Sequence, residues 1–422
     1  MQQSEFLPWA GLDKLKMSST TTQHVNQHNF QEVLKPTPFH CRVDDNCLTK
    51  NWMDWNGYLT ARTYDTLAAE YFAIRSSCSV MDLTPMGKYR INGPDANKFL
   101  NRLVTRDVSK LRPQRVSYVV MCNDEGKVLD DATIFHLSEG DYRLCCQHHQ
   151  LDWLKISSLG MDVSIEEETH DVAALAVQGP TSASVLKLAG IDEIGQMKPY
   201  DILHTQLRGF EVMVSRTGYT GDLGYELWTS PNNALDMWDA IFEVKQNGFY
   251  DIRTIGLSAL EMVRIEAGFI LPGDDFNTAE TAIRADRVRS PYEVGLGWVV
   301  NLDKSNFTGK RALLNEKEKP IKRRLLRLEV SGNKAPQDSF LYAGKGGKRI
   351  GTIMTQIWSP ILKANLTMAD VEFTGGIQPA DIWAEIYYQK ELEWRVSWAK
   401  GKVWNKPFWS HPRRSATPPD CY

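Results

Sequence analysis

Short runs in which apolar and polar residues alternate recur along the chain, and a period of two predicts β-strands. The clearest runs are at residues 88–92, 117–122, 132–136 and 141–146. Apolar residues three and four positions apart predict helices, among them residues 67–75, 96–103, 234–245 and 256–267. The order strand–helix–strand–strand–strand–helix between residues 88 and 159 predicts an α+β fold with an antiparallel sheet.

The two ends of the chain have a different pattern. Residues 1–50 are polar and irregular, which predicts a lead-in without regular structure. Beyond residue 301, short strands with frequent turns continue to about residue 403, and this is typical of a small β-barrel.

Charge and hydropathy exclude several classes of protein. The 422 residues carry a net charge of −3, so no overall basic field attracts nucleic acid or an anionic membrane. No run approaches the length of a transmembrane helix, and the N-terminus lacks a long apolar signal segment. We therefore expect a cytoplasmic protein that binds neither nucleic acid nor membrane.

Cysteine, histidine and glycine patterns exclude further chemistry. The seven cysteines include no C-x-x-C pair, so neither a disulfide framework nor a metal site is expected. The sequence contains no dinucleotide-binding or P-loop glycine motif.

Two adjacent carboxylates, Asp130 and Asp131, lie where the chain enters a predicted strand. Because successive side chains of a strand point to opposite faces, one of the two is expected to face inward, where it needs a partner or a ligand. The alternative is that both are solvated at the end of the strand.

A glycine-rich segment occupies residues 215–228 and reads SRTGYTGDLGYELW. Gly218 lets the backbone approach a ligand closely, and Tyr219 and Tyr225 supply stacking faces. Glu226 is a carboxylate that can accept two parallel hydrogen bonds from the edge of an amidine-like heterocycle. A hairpin loop with an exposed glutamate would have the same pattern.

Arg264 follows Glu261 by three residues in the helix predicted over residues 256–267. The two could form a surface ion pair worth about 0.2–0.5 kcal/mol. Arg264 could instead bind a carboxylate of a ligand.

Aromatic residues are concentrated before the first predicted helix, at Trp52, Trp55 and Tyr58. Aromatic faces attract a positively charged methyl donor through cation–π interactions. The alternative is that these rings pack in the core of the first domain.

Together these segments resemble the aminomethyltransferase (glycine-cleavage T-protein) superfamily of folate-dependent enzymes, and we expect the demethylase-like branch. The matching stretches, in the family's order, are MDLTPMGKYRINGPDA (81–96), RLVTRDVSKLRPQRVSY (102–118), NDEGKVLDDATIF (123–135), ALAVQGP (174–180), SRTGYTGDLGYELW (215–228), LSALEMVRIEAG (257–268) and GLGWVVNLDKSNFTGKRAL (295–313).

The resemblance implies a three-domain, folate-binding α+β architecture around a central channel, with a small C-terminal β-barrel domain. Residues 51–83 and 171–300 would form the first, discontinuous folate-binding domain, residues 84–170 the second and residues 301–422 the third.

The resemblance also implies site residues, with tetrahydrofolate as the cofactor. Asp130 would be the central acid near N5, and Tyr118 would line the same pocket. Glu226 would bind the edge of the pterin ring and Arg264 the tail of the folate, while Gly218, Tyr219 and Tyr225 would complete the cofactor site.

Departures from the T-protein pattern concern the donor. Pro85 replaces a histidine, Leu260 stands where an arginine is lost, and Gln147 lies in an altered stretch after two cysteines. We therefore expect a demethylase that moves a methyl group from a small onium or methoxy donor to N5, with Trp52, Trp55, Tyr58 and Gln147 binding the donor.

Two alternatives remain open. The first is an aminomethyltransferase of a glycine-cleavage system, which requires a lipoylated carrier protein as its partner. The second is a folate-binding regulatory or assembly protein without enzymatic activity.

Overall fold

Three large β-sheets, a two-stranded hairpin and the helices between them form the part of the chain that the computed structural model describes, residues 33–418. The helices are α1 (His40–Asn46), α2 (Leu67–Ser76), α3 (Ala96–Leu103), α4 (Leu151–Ser157), α5 (Ser182–Ala189), α6 (Ala234–Glu243), α7 (Leu257–Glu266) and α8 (Lys310–Lys317). The strands are β1 (Asn51–Trp55), β2 (Tyr58–Thr63), β3 (Cys78–Asp82), β4 (Gly87–Asn92), β5 (Arg115–Cys122), β6 (Val128–Ser138), β7 (Asp141–Cys146), β8 (Ser164–Glu167), β9 (Ala173–Gln178), β10 (Ile202–Leu207), β11 (Phe210–Ser215), β12 (Gly224–Thr229), β13 (Ile252–Thr254), β14 (Arg323–Val330), β15 (Phe340–Ala343), β16 (Lys348–Ser359), β17 (Ala364–Glu372), β18 (Ile382–Lys390) and β19 (Glu393–Trp404).

The strands pair in a different order from their order in the chain. A six-stranded sheet has the order β10-β11-β12-β9-β3-β13, and a five-stranded sheet has the order β5-β6-β7-β4-β8. The C-terminal strands close into a barrel in the order β14-β17-β16-β15-β18-β19, and β1 and β2 form a separate hairpin. Because β3 pairs with β9, the second sheet is inserted between two neighbouring strands of the first.

One apolar cluster is shared by all three sheets. The six-stranded sheet contributes Met81 and Trp228, the five-stranded sheet contributes Val120 and Phe135, and the barrel contributes Met368. Residues of α2 and α7 complete the cluster. Polar side chains on the sheet faces that line this cluster can therefore reach a common site.

Buried ionic groups join these parts across the cluster. Glu266 of α7 is fully buried and accepts hydrogen bonds from Arg75 of α2 (2.7 Å), from the Tyr71 hydroxyl (2.6 Å) and from the Ser359 hydroxyl at the end of β16 (2.6 Å). Removing one partner would leave a buried charge uncompensated, so this network holds α2, α7 and the barrel in one arrangement.

The α+β class and the C-terminal antiparallel barrel are confirmed, and the predicted helix over residues 96–103 coincides with α3. Residues 1–50 were predicted to have no regular structure, but residues 40–46 form α1. Residues 1–32 lie outside the described residues. The domain boundaries stay a prediction. None of the helices described has both the length and the apolar content to cross a membrane.

Candidate functional site

A partly buried hydrogen bond joins Tyr118 of β5 to Asp131 of β6. The Tyr118 hydroxyl donates to Oδ2 of Asp131 at 2.6 Å. In the pairing of the two strands, Asp131 lies opposite Val120 and Tyr118 lies opposite Thr133, so both side chains are on the face that carries Val120 and Phe135. That face belongs to the shared apolar cluster. Tyr118 and Asp131 therefore point towards the centre of the molecule.

Asp130 lies on the opposite face of β6, which corrects the expectation that it shares a pocket with Tyr118. It pairs with Met121 and faces the separate core of the five-stranded sheet. Its Oδ1 accepts a hydrogen bond from the Asp131 backbone N–H (2.9 Å), and its Oδ2 accepts one from the His148 backbone N–H (3.2 Å). The physical reason is the two-residue period of the strand, which sends neighbouring side chains to opposite sides.

The electrostatic environment of Asp131 favours its protonated form. Burial, and to a smaller extent the neighbouring charge of Asp130, raise the pKa of Asp131 to about 7. The hydrogen bond from Tyr118 and the charge of His148 act in the other direction, because both stabilise the carboxylate. Asp131 can therefore exchange a proton near neutral pH.

Glu226 on β12 is the second carboxylate on a face of the shared cluster, beside Trp228 and Ala176. Its Oε2 accepts hydrogen bonds from the hydroxyl of Thr217 (2.6 Å) and from that of Ser215 (3.4 Å). Burial raises its pKa to about 6. Because both hydroxyls bind Oε2, Oε1 is the oxygen that a ligand can reach.

The glycine-rich loop before β12 is shaped by Gln178, a buried residue that the sequence analysis did not single out. Its Nε2 donates to the backbone carbonyls of Thr217 and Tyr225 (both 3.2 Å), and its Oε1 accepts from the Thr220 hydroxyl (2.9 Å). A Cβ at Gly218 would lie 2.0 Å from Gln178 Oε1. The glycine is thus required by the close approach of this amide, whatever ligand binds nearby.

The two tyrosines of the loop have separate surroundings. Tyr219 stacks on Phe269 (ring centroids 5.3 Å apart), and its hydroxyl donates to the backbone carbonyl of Ile270. Burial raises the pKa of Tyr219, and the charge of Asp131 contributes to the rise. Tyr225 is fully buried in the core beneath the six-stranded sheet, on the face of β12 opposite Glu226. The prediction that Tyr225 offers a stacking face is therefore wrong.

Arg264 is enclosed by two carboxylates. Its guanidinium is fully buried, pairs with both oxygens of Glu261 (2.7 and 2.5 Å) and donates to Oδ2 of the buried Asp275 (2.5 Å). Two roles were considered for Arg264, an ion pair with Glu261 and the binding of a ligand carboxylate. The structure shows the ion pair with Glu261 and a second ion pair with Asp275. The expected role in binding a folate carboxylate does not fit, because the guanidinium already faces two negative charges.

The aromatic residues near the N-terminus do not form one cage. Trp52 and Trp55 are three residues apart on β1 and so lie on opposite faces of the strand. Trp52 packs near His40 (5.6 Å between centroids), whereas Trp55 packs on the shared cluster. Tyr58 is buried, and its hydroxyl contacts His170. These rings therefore follow the alternative interpretation, in which they pack in the protein and do not bind a donor.

The turn after β1 nevertheless covers the segment that contains Gln147. Asn56 Nδ2 donates to the backbone carbonyl of Gln147 (2.7 Å) and to that of Pro85 (2.9 Å). Pro85 and Gln147 are distant in sequence, and this one side chain brings them together.

Trp298 is a site residue that the sequence analysis missed. Its ring stacks on Tyr118 with centroids 6.0 Å apart, and 65% of the residue is exposed. The guanidinium of Arg106 lies 5.6 Å from the ring. Trp298 lies in the GLGWVV stretch, which the sequence analysis gave only as part of a segment that matches the family. It forms an accessible aromatic wall next to the Tyr118–Asp131 pair.

Comparisons with known proteins find one family. Residues 47–304 match the family model described as the GCVT N-terminal domain. An aminomethyltransferase of Halothermothrix orenii is 31% identical over 325 residues, which cover 76% of this chain and 87% of that protein. An aminomethyltransferase of Thermotoga maritima is 33% identical over 341 residues, covering 80% of this chain and 89% of that protein.

A solved structure has the same fold. The crystal structure of glycine cleavage system aminomethyltransferase T from Bartonella henselae superimposes with a TM-score of 0.76 at 21% sequence identity. The match covers 89% of this chain and 98% of that one.

Proposed function

Because the chain belongs to the GCVT family of aminomethyltransferases, enzymes that use tetrahydrofolate, we propose that it transfers the one-carbon unit of an aminomethyl group to tetrahydrofolate. The donor would be an aminomethyl group on a lipoylated carrier protein, and ammonia would be released. The observation that carries the proposal is the pair Tyr118–Asp131, which faces the same central region as Glu226.

The residues of the site fit a reduced pterin. Glu226 offers Oε1 in a buried position, where a hydrogen bond from the N–H groups of a pterin edge is strengthened by low dielectric and by the charge of the carboxylate. Tyr219, held against Phe269, provides a rigid aromatic neighbour. When bound, tetrahydrofolate supplies the nucleophilic nitrogen that accepts the one-carbon unit.

Asp131 would take the role that the sequence analysis gave to Asp130. A carboxyl group that exchanges a proton near pH 7 can give a proton to the departing amine and can stabilise positive charge on a nearby nitrogen. Tyr118 holds this carboxyl in place by its hydrogen bond, and its ring stacks on the exposed Trp298.

The tail of the folate needs a cation other than Arg264. Arg414 lies over the ring of Phe269 at 4.8 Å, next to the stack with Tyr219, and it is partly exposed. A guanidinium at this position can meet the carboxylates of a tail that leaves the site past Tyr219. We include Arg414 in the proposed folate site for this reason.

One observation favours a second candidate, the demethylase. Asn56 joins Pro85 to Gln147, two positions at which the chain departs from the T-protein pattern. Because the two altered positions lie close together, they are suited to forming a site for a different donor, for example a small methylated compound. Methyl transfer from such a donor would give 5-methyltetrahydrofolate.

A paired donor assay distinguishes the two. The protein is incubated with tetrahydrofolate and either an aminomethyl-loaded lipoylated carrier protein or a panel of onium and methoxy compounds, and the folate product is identified. We expect 5,10-methylenetetrahydrofolate and ammonia with the carrier alone. Formation of 5-methyltetrahydrofolate from a small donor, without turnover of the carrier, would establish the demethylase instead.

A further inference from the structure

His148 contacts Asp130 from the side of the sheet opposite the site. It follows β7, and its Nδ1 lies 3.3 Å from Oδ2 of Asp130, the oxygen that also accepts its backbone N–H. The Asp130 side chain is completely buried and binds the Asp131 backbone N–H through its other oxygen. Asp130 thus connects the imidazole of His148 to the residue that faces the site.

Two buried carboxylates on adjacent residues cannot both ionise cheaply unless a positive charge compensates one of them. Burial alone would lower the pKa of His148, but the hydrogen bond and the charge of Asp130 outweigh burial and raise it above its ordinary value. The imidazolium is therefore stabilised next to Asp130. The three groups share their protons as one coupled system.

We propose that His148 is a positioning residue that acts through Asp130, and that this ion pair controls when Asp131 releases its proton into the site. The proposal rests on the role given above to Asp131. It makes two predictions of opposite sign. Neutralising Asp130 removes a negative charge next to Asp131, so Asp131 should lose its proton at lower pH. Neutralising His148 leaves the negative charge of Asp130 uncompensated, so Asp131 should keep its proton to higher pH.

Other groups act on the same cluster and are the same residues in every variant; among them Asp274, whose pKa burial raises to about 6, titrates within the same pH range. The Tyr118 hydroxyl donates to Asp131, and the Tyr219 hydroxyl lies within electrostatic range of it. On the far side, Glu280 and Asp274 lie near the imidazole of His148. Both are acidic, so they support the protonated imidazole and do not reverse either sign.

Infrared spectroscopy tests the proposal without folate or donor. The C=O band of the protonated Asp131 carboxyl, assigned by its absence in Asp131→Asn, is followed between pH 4 and 10 in the full-length protein. The wild type should titrate with a midpoint near pH 7. The midpoint should fall by about one pH unit in Asp130→Asn and rise by about half to one unit in His148→Gln. His148→Lys, which restores a positive charge, should return it towards the wild-type value.

A His148→Gln midpoint that is unchanged, or that moves in the same direction as in Asp130→Asn, would overturn the proposal. So would a His148→Lys midpoint equal to that of His148→Gln. A change confined to packing would lower the melting temperature of all three variants without producing midpoints of opposite sign. The titration needs no turnover, so it can succeed or fail independently of the paired donor assay.

Discussion

Tyr118 donates its hydroxyl to Asp131, at 2.6 Å, and not to Asp130, although the two aspartates are neighbours in the chain. Asp131 shares the central face of the five-stranded sheet with Tyr118, whereas Asp130 is buried behind it with His148. The site therefore depends on which of two identical side chains the strand directs inward.

Replacing Tyr118 by Phe should raise the pH at which Asp131 ionises, because the lost hydrogen bond stabilised the carboxylate. We expect the pH profile of turnover to move by about half a unit to higher pH and the rate at its optimum to fall about tenfold. Trp298→Leu is the control, since it removes the ring stacked on Tyr118 and leaves the hydrogen bond in place. A profile that moves equally in both variants would argue against a specific role for the hydroxyl.

The raised pKa of Asp131 has a consequence for stability. A carboxyl whose folded-state pKa lies above its unfolded-state value destabilises the fold as pH rises between the two, here from about 4 to about 7. Asp131→Asn removes this penalty, on the order of a few kcal/mol. The melting temperature of Asp131→Asn relative to the wild type should therefore be higher at pH 8 than at pH 5.

Asp124→Asn, on an exposed turn, is the control for that comparison. Its melting temperature relative to the wild type should be nearly the same at both pH values. If Asp131→Asn behaves like Asp124→Asn, Asp131 is not buried as described.

Replacing Glu226 by Gln should weaken tetrahydrofolate binding by about 2 kcal/mol, since a desolvated, charge-assisted hydrogen bond is lost. Because the pKa of Glu226 is raised to about 6, the wild-type affinity should fall as the pH drops below that value. The affinity of the Gln variant should not show this fall. Calorimetric titration of both proteins between pH 5 and 8 checks both statements, and equal affinities would remove Glu226 from the pterin site.

Gly218→Ala should destabilise the protein by about 1–3 kcal/mol, because the added methyl meets the Gln178 amide at 2.0 Å. Gln178→Ala removes the obstacle but also the hydrogen bonds that shape the loop. The double variant should therefore be more stable than the sum of the two single effects predicts. If the changes in the free energy of unfolding, measured by chemical denaturation, are strictly additive, the contact with Gln178 is not what prevents a larger residue at position 218.

Local patterns in the sequence predicted much of the fold. Alternation over residues 141–146 and helical spacing over residues 96–103 were enough to predict β7 and α3; the helix packs Phe99, Leu100 and Leu103 in the core of the five-stranded sheet. The helix α1 was missed, since the polar pattern around His40–Asn46 has only Val43 fully buried. A single apolar contact leaves almost no periodic signal.

The site was predicted less completely, for two physical reasons. Which side chains of β6 and β12 face the site depends on strand register, and an error of one residue exchanges the roles of neighbouring residues. This is why Asp130 and Tyr225 were assigned to the wrong face. The partners of Gln178 come from a segment about 40 residues away that no local pattern connects to it, and the second partner of Arg264, Asp275, lies outside its helix. Motif resemblance located the segments, and three-dimensional contacts decided which side chains face one another.

The central claim is that Asp131, and not its neighbour, is the acid of the site. It is tested most directly by single-turnover rates of Asp131→Asn and Asp130→Asn, each measured at its own pH optimum with saturating tetrahydrofolate and donor. We predict a loss of about 100-fold or more in Asp131→Asn, with folate affinity within a few-fold of the wild type, and a loss below about tenfold in Asp130→Asn. The reverse order, an inactive Asp130→Asn and an active Asp131→Asn, would contradict the account.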